Sequence, residues 1–166
     1  MSTSSKTKIK ELISQSVQDT LHFARQVADE LSGGDILLLT GELGTGKTTF
    51  VQGLAKAFGI REKIKSPTFT VMHAHKIKPH KCAQKHRREP KWFVHADVYR
   101  LKKAEEIYEI GLMDWLGRQD AVVVVEWGEK IKPLLRSYVY KTIRFQYNKR
   151  KNERFITPPP KISLPR

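Results

Sequence analysis

At 166 residues and 19.2 kDa, the chain has room for one domain with a proper core and little room for a second. Hydrophobic residues at 39% and charged residues at 29% exclude a wholly disordered chain, and the single cysteine, Cys82, excludes an internal disulfide framework. The formal charge of +14 is concentrated in two segments: residues 73–91 carry a net +6, residues 141–166 a net +7, and the other 121 residues a net +1.

No window approaches the roughly 18 apolar residues of a membrane span. The opening residues 1–10 lack the apolar run of a secretory signal, which with the lone thiol gives the expectation of a cytoplasmic protein. The two basic segments read either as surfaces for a polyanion such as RNA or DNA or as a solvated insertion and tail.

In chain order, residues 8–13 read as a short edge strand or a first helical turn. From Ser16 the spacing of Val17, Leu21, Ala24, Val27, Ala28 and Leu31 predicts an amphipathic helix, with Ser16 and Asp19 placed as an N-cap pair and Gly33-Gly34 as its stop. Ile36-Leu37-Leu38-Leu39 reads as a buried strand. After a glycine-rich turn, a helix is predicted from Lys47 to about Phe58, closed by Gly59. Phe69–Met72 and Trp92–Val98 read as strands and Lys102–Ile110 as a helix. The unbroken β-branched run from Ala121 to Val125 predicts a strand covered on both faces. Tyr138–Tyr147 alternates as a half-exposed strand does, and the segment holding Pro158, Pro159 and Pro160 reads as an extended tail. Strands alternating with helices predict a layered α/β fold.

The chemistry is carried by Gly41-Glu42-Leu43-Gly44-Thr45-Gly46-Lys47-Thr48, which fits G-x-x-x-x-G-K-[ST] in full, between an apolar strand and a helix. The glycines let consecutive N–H groups converge on phosphate oxygens, and the following helix adds the positive end of its dipole. Lys47 would place its ammonium between the β- and γ-phosphates, and the Thr48 hydroxyl would bind Mg²⁺. A carboxylate at the carboxyl edge of a neighbouring buried strand completes such a site, and Glu126, after the valine run, supplies it, to hold Mg²⁺ or its water. Asp97, ending the strand from Trp92, and Ser66-Pro67-Thr68 are candidates to contact Mg²⁺ or the attacking water, although such residues are also common in turns. The domain reading is one P-loop domain over 1–150, with 73–91 as a basic loop insertion and 151–166 as a basic, proline-containing tail.

Several motifs together resemble the TsaE (YjeE) family. They are the loop from Gly41 through Thr48-Thr49-Phe50; Ser66-Pro67-Thr68-Phe69-Thr70; His95-Ala96-Asp97-Val98-Tyr99-Arg100-Leu101; Glu105-Glu106 with Ile110-Gly111-Leu112; and Val125-Glu126-Trp127. Their order and approximate spacing agree from about Ser16 to Leu135, some seven-tenths of the chain. The resemblance implies a three-layer P-loop NTPase domain with a mixed, mostly parallel sheet. It implies a small ATPase using ATP and Mg²⁺, required for threonylcarbamoyladenosine modification of tRNAs reading ANN codons, whose cycle supports turnover of TsaD and TsaB. It further implies Thr48 and Glu126 as Mg²⁺ ligands, Lys47, Asp97 and Glu126 as the hydrolytic residues, Thr68 in a switch-like loop and Trp127 beside the nucleotide. In three places the chain departs from the family: 73–91 is longer and more basic, Ala96 stands where Phe is common, and Gly128 stands where Pro or Ala is frequent.

A small-metabolite kinase is an alternative, with 73–91 as a lid. A GTPase is another, but Asn148-Lys149 is followed by Arg150-Lys151, so the acid of the guanine-selecting signature is missing. His73, His75, His80, Cys82 and His86 invite a zinc reading, but their spacing matches no standard tetrahedral set. Arg100 reads as an internal arginine finger or as the salt-bridge partner of Glu105 or Glu106. With no obvious finger, the expected intrinsic turnover is weak and partner-stimulated.

Overall fold

A computed structural model describes residues 12–62, 64, 71–78, 88–148 and 153–159. Among these, strands β1 (Leu12–Ser14), β2 (Ile36–Thr40), β3 (Met72–Lys76), β4 (Trp92–Asp97), β5 (Ala121–Glu126), β6 (Lys141–Asn148) and β7 (Glu153–Thr157) form one sheet in the order β1-β7-β6-β2-β5-β4-β3. The four central strands β6, β2, β5 and β4 are parallel. The strands added at both sides are antiparallel. The sheet is therefore mixed and parallel at its centre, as expected. No helix among the described residues is long and apolar enough to cross a membrane.

The two faces are covered differently. Leu37, Leu39, Val122, Val124, Phe93, Ile143 and Phe145 face helices α1 (Val17–Glu30) and α2 (Lys47–Ala57), which supply Phe23, Val27, Phe50 and Leu54 to one core. The alternate residues Ile36, Leu38, Val94, Ala96, Val123 and Val125 face Leu101, Ile107, Leu112, Leu116, Ile131 and Leu135. That second layer holds a single-turn helix α3 (Glu106–Glu109) and 3-10 turns at Leu112–Asp114, Gly128–Lys130 and Lys132–Leu135. The helix expected over 102–110 is thus reduced to its last part. The Glu106 carboxylate accepts the backbone N–H groups of Lys102 and Lys103, at 2.9 and 2.7 Å, and so closes a turn.

Three further expectations change. The strand read at Phe69–Met72 begins at Met72 and runs to Lys76, while residues 65–70 lie outside the described residues. The basic loop 73–91 therefore opens as strand, with His73 opposite His95. The extended tail read from 151 is corrected: Glu153–Thr157 pairs with β6 on one side and β1 on the other, and Ile156 is fully buried against the α1–α2 core. Phe155-Ile156 inside a basic, proline-flanked stretch is a short apolar signal that charge and proline outweigh in the sequence.

Helix α1 starts as the sequence dictates. Ser16 Oγ accepts the Asp19 N–H at 3.1 Å, and Asp19 Oδ2 accepts the N–H groups of Gln15 and Ser16 at 2.9 and 3.0 Å. The bond from Gln15, followed by that from the Ser16 side chain, lowers the Asp19 carboxyl below the usual aspartate range. The resulting stabilisation is present above the ordinary aspartate pKa and is lost as pH falls through the lowered folded-state value. Ser16→Ala is expected to destabilise the protein by about 1 kcal/mol, read from the urea midpoint at neutral pH.

Candidate functional site

The parallel strands β2, β5 and β4 all end at one edge of the sheet, and the loops leaving that edge build the site. β2 passes through Gly41–Gly46 into α2. Gly41 has φ +128°, and a Cβ there would lie 2.0 Å from the Phe145 carbonyl oxygen, so only glycine passes this bend against β6. Gly44, at φ +77°, faces open space, and Gly46, at φ +99°, caps α2. Thr45 is buried and its hydroxyl donates to the Glu42 carbonyl at 2.8 Å, while Leu43 stands 76% exposed at the tip.

Lys47 is 4% exposed. Its ammonium donates to the carbonyls of Gly41 and Glu42, each at 2.7 Å, and sits 4.0 Å above the Trp127 ring. Burial holds it below the usual lysine range against the opposing fields of Glu126, Glu129 and Asp97. Thr48 donates its hydroxyl to Glu126 Oε2 at 2.9 Å, and His95 Nε2 lies 2.9 Å from Glu126 Oε1. Asp97 is opposite Glu126 in the β4–β5 register, and its Oδ1 accepts the Tyr99 N–H at 3.0 Å.

After Glu126 the chain turns sharply. Trp127 takes φ +61°, a left-handed conformation unusual for a bulky residue, and its ring packs on Tyr99 with centroids 4.8 Å apart. Lys130 secures this corner by donating to the carbonyls of Tyr99 and Leu101. Gly128 then lies on β2: a Cβ there would meet Leu38 Cβ at 2.6 Å and Leu38 Cα at 3.1 Å. The close approach of Gly128 to Leu38 is thus one that a side chain would crowd.

These elements enclose a pocket of about 430 Å³, lined by the glycine loop, Thr48, Thr49, Asp97, Arg100, Glu126 and Trp127. Arg154 also lines it, packed over Gly46 with its guanidinium 5.6 Å from the Tyr147 ring. Sequence reasoning missed Arg154 because it lay in the supposed tail. β7 runs antiparallel to β6 and so begins at the edge where the parallel strands end, with Arg154 opposite Tyr147. It also gave His95 no role. The signal was available, since a polar residue in an apolar strand two residues before Asp97 shares that residue's face. Thr68 lies outside the described residues, as do His80, Cys82 and His86. Among the described residues no three His, Cys, Asp or Glu side chains form a metal group, and His75 is instead 3.0 Å from Glu62.

A parallel-centred sheet, a glycine loop running from strand to helix, and a Lys–Thr–carboxylate set beside it define a nucleotide-binding protein of the P-loop class. The comparisons narrow this class. The model of the threonylcarbamoyl adenosine biosynthesis protein TsaE family matches residues 14–156. A Treponema pallidum TsaE is 37% identical over 126 residues, covering 76% of this chain and 84% of that protein. An Aquifex aeolicus TsaE is 33% identical over 127 residues, covering 75% and 81%. The crystal structure of Bacillus subtilis YdiB superposes with a TM-score of 0.59 at 26% identity, covering 89% of this chain and 82% of that one. The chain belongs to the TsaE family.

Gly128→Val is expected to destabilise the fold by about 1–3 kcal/mol, because neither the Leu38 backbone nor β2 can retreat; a chemical denaturation midpoint reads the change.

Proposed function

We propose that this protein binds ATP with Mg²⁺ in the pocket and hydrolyses it slowly in the cytoplasm. The cycle serves threonylcarbamoyladenosine modification of tRNAs reading ANN codons by supporting turnover of TsaD and TsaB. The observation that supports this reading most is the convergence of Lys47, Thr48, Glu126 and Asp97 at the mouth of one glycine loop. The loop from Gly41 to Thr49 offers backbone N–H groups to phosphate oxygens. Lys47, exchanging the Gly41 and Glu42 carbonyls for phosphate oxygens, pairs with the β- and γ-phosphates. The Thr48 hydroxyl and the Glu126 carboxylate are hard oxygen donors of the kind Mg²⁺ takes alongside substrate phosphates, and so fit that ion. When bound, Mg²⁺ neutralises charge on the triphosphate. Asp97 orients the attacking water, and Trp127 packs beside the nucleotide.

The rim favours a partner-dependent cycle. Leu43, Val17 and Tyr99 stand 76%, 51% and 49% exposed around the pocket, an apolar border that a docking protein would cover. Arg100 and Arg154 also line the pocket, and a partner that ordered either against the transferring phosphate would raise turnover. Segments 73–91 and 141–166 are assigned to tRNA contact. Within the second, Lys141 is already paired with Asp35 at 2.7 Å, which leaves exposed residues such as Arg144 for phosphates.

Lys47→Ala and Glu126→Gln are expected to lower phosphate release by about a hundredfold or more. Asp97→Asn is expected to retain ATP affinity while losing hydrolysis. Calorimetry and a phosphate-release assay with and without TsaB–TsaD check these outcomes. No ATP affinity in magnesium buffer would overturn the reading, and no partner effect would remove the coupling. Arg154→Ala should weaken ATP affinity several-fold in the same titration. Binding of tRNA should fall steeply with added salt, as counterion release requires.

A further inference from the structure

The proposed reaction gives no work to one member of a deeply buried ionisable pair, His95. His95 and Glu126 have side chains 1% and 3% exposed, with His95 Nε2 2.9 Å from Glu126 Oε1. The carboxylate oxygen accepts, so the proton of this contact sits on Nε2. Residue 95 shares its strand face with Phe93, which packs against the α1–α2 core, and an apolar side chain would fill that place without desolvating an imidazole. The ring is also incompletely satisfied: Nδ1 is buried with no hydrogen-bond partner among the described residues. The described polar contact of this costly side chain is Glu126.

That contact falls on the carboxylate oxygen that Thr48 leaves free. Thr48 of α2 holds Oε2 and His95 of β4 holds Oε1, each at 2.9 Å. Glutamate is longer than the aspartate that commonly holds Mg²⁺ in P-loop NTPases and has one more torsion to lose. A second grip from β4 removes that freedom, because the imidazole is locked in the sheet interior.

Resting on the nucleotide–magnesium reading of the pocket, we propose that His95 is a positioning residue. It fixes the Glu126 carboxylate at the orientation in which it meets the divalent cation, so β4 sets the cation affinity of a site whose donors lie on β5 and α2. Partners of metal-binding groups act in this way, and their loss costs about 10–100-fold in metal affinity.

The test is a Mg²⁺ titration of fluorescent ADP analogue binding to the full chain, with a parallel measurement in EDTA. His95→Phe is expected to raise the Mg²⁺ midpoint about tenfold or more while leaving analogue affinity in EDTA unchanged. His95→Gln, whose amide N–H reaches the position of Nε2, should recover most of the loss, and His95→Asn, whose shorter side chain does not, should recover little. A wild-type Mg²⁺ midpoint in His95→Phe overturns the proposal, as does equal behaviour of the Gln and Asn variants. A purely structural pair would shift the melting temperature and leave the midpoint alone.

Should His95→Phe fail to fold, ¹⁵N NMR of the wild-type imidazole decides. The Nε2–H signal should move when Mg²⁺ joins the analogue complex, and a signal that Mg²⁺ leaves in place overturns the assignment. Absence of analogue binding by the wild type would overturn the nucleotide reading itself, an outcome distinct from unchanged Mg²⁺ dependence in the variants.

Discussion

The structure turns on one buried carboxylate. Glu126 ends β5 at 2% exposure, where an ionisable group persists only if it is hydrogen-bonded. Its two oxygens take partners from two other elements, Thr48 at the start of α2 and His95 within β4. One side chain therefore joins three pieces of chain that are remote in sequence, and it does so at the edge where the glycine loop opens. The geometry downstream follows from this joint. With Glu126 turned inward, the chain must leave the sheet at once. It does so through a left-handed Trp127 and a Gly128 pressed onto Leu38.

The same edge gathers the rest of the site because the central strands are parallel. β2, β5 and β4 deliver the glycine loop, Glu126 with Trp127, and Asp97 to one place. β6 adds a wall, since the Phe145 carbonyl lies where any side chain on Gly41 would have to go. β7 returns antiparallel and carries Arg154 to the opposite lip of the pocket. The two sheet faces are unequal in cover. Two full helices pack one, while short turns from 101 to 135 pack the other. Those turns contribute Leu101, Ile107, Leu112 and Leu135 to a genuine core, so the second layer is built from irregular chain.

Two of the polar side chains lining the pocket are bonded within the chain. Lys47 gives its protons to the Gly41 and Glu42 carbonyls and rests on the Trp127 ring, and Thr48 gives its proton to Glu126. A phosphate bound as proposed would replace existing hydrogen bonds, so its net affinity would be the difference between two bonded states. Burial, the largest influence on Lys47, disfavours its charged form, whereas an anion bound beside it would favour that form.

What could be read from the sequence was what depends on neighbouring residues. The Ser16–Asp19 capping box, the buried run Ile36–Leu39, the loop from Gly41 to Thr48 with its helix, and the valine strand ending in Glu126 are each set by side chains a few positions apart, and each forms close to where its pattern predicts. The tertiary structure alone decided what depends on distant pairing. β7 becomes a strand because β1 and β6 present unpaired edges to it, which overrides its charge and flanking prolines. Residues 102–105 lose their helix to the Glu106 carboxylate, which takes the Lys102 and Lys103 N–H groups. His95 and Arg154 acquire their places only when strands 31 and 108 residues away from their counterparts Glu126 and Gly46 come together, since a hydrogen bond or a pocket lip between such segments has no local signature.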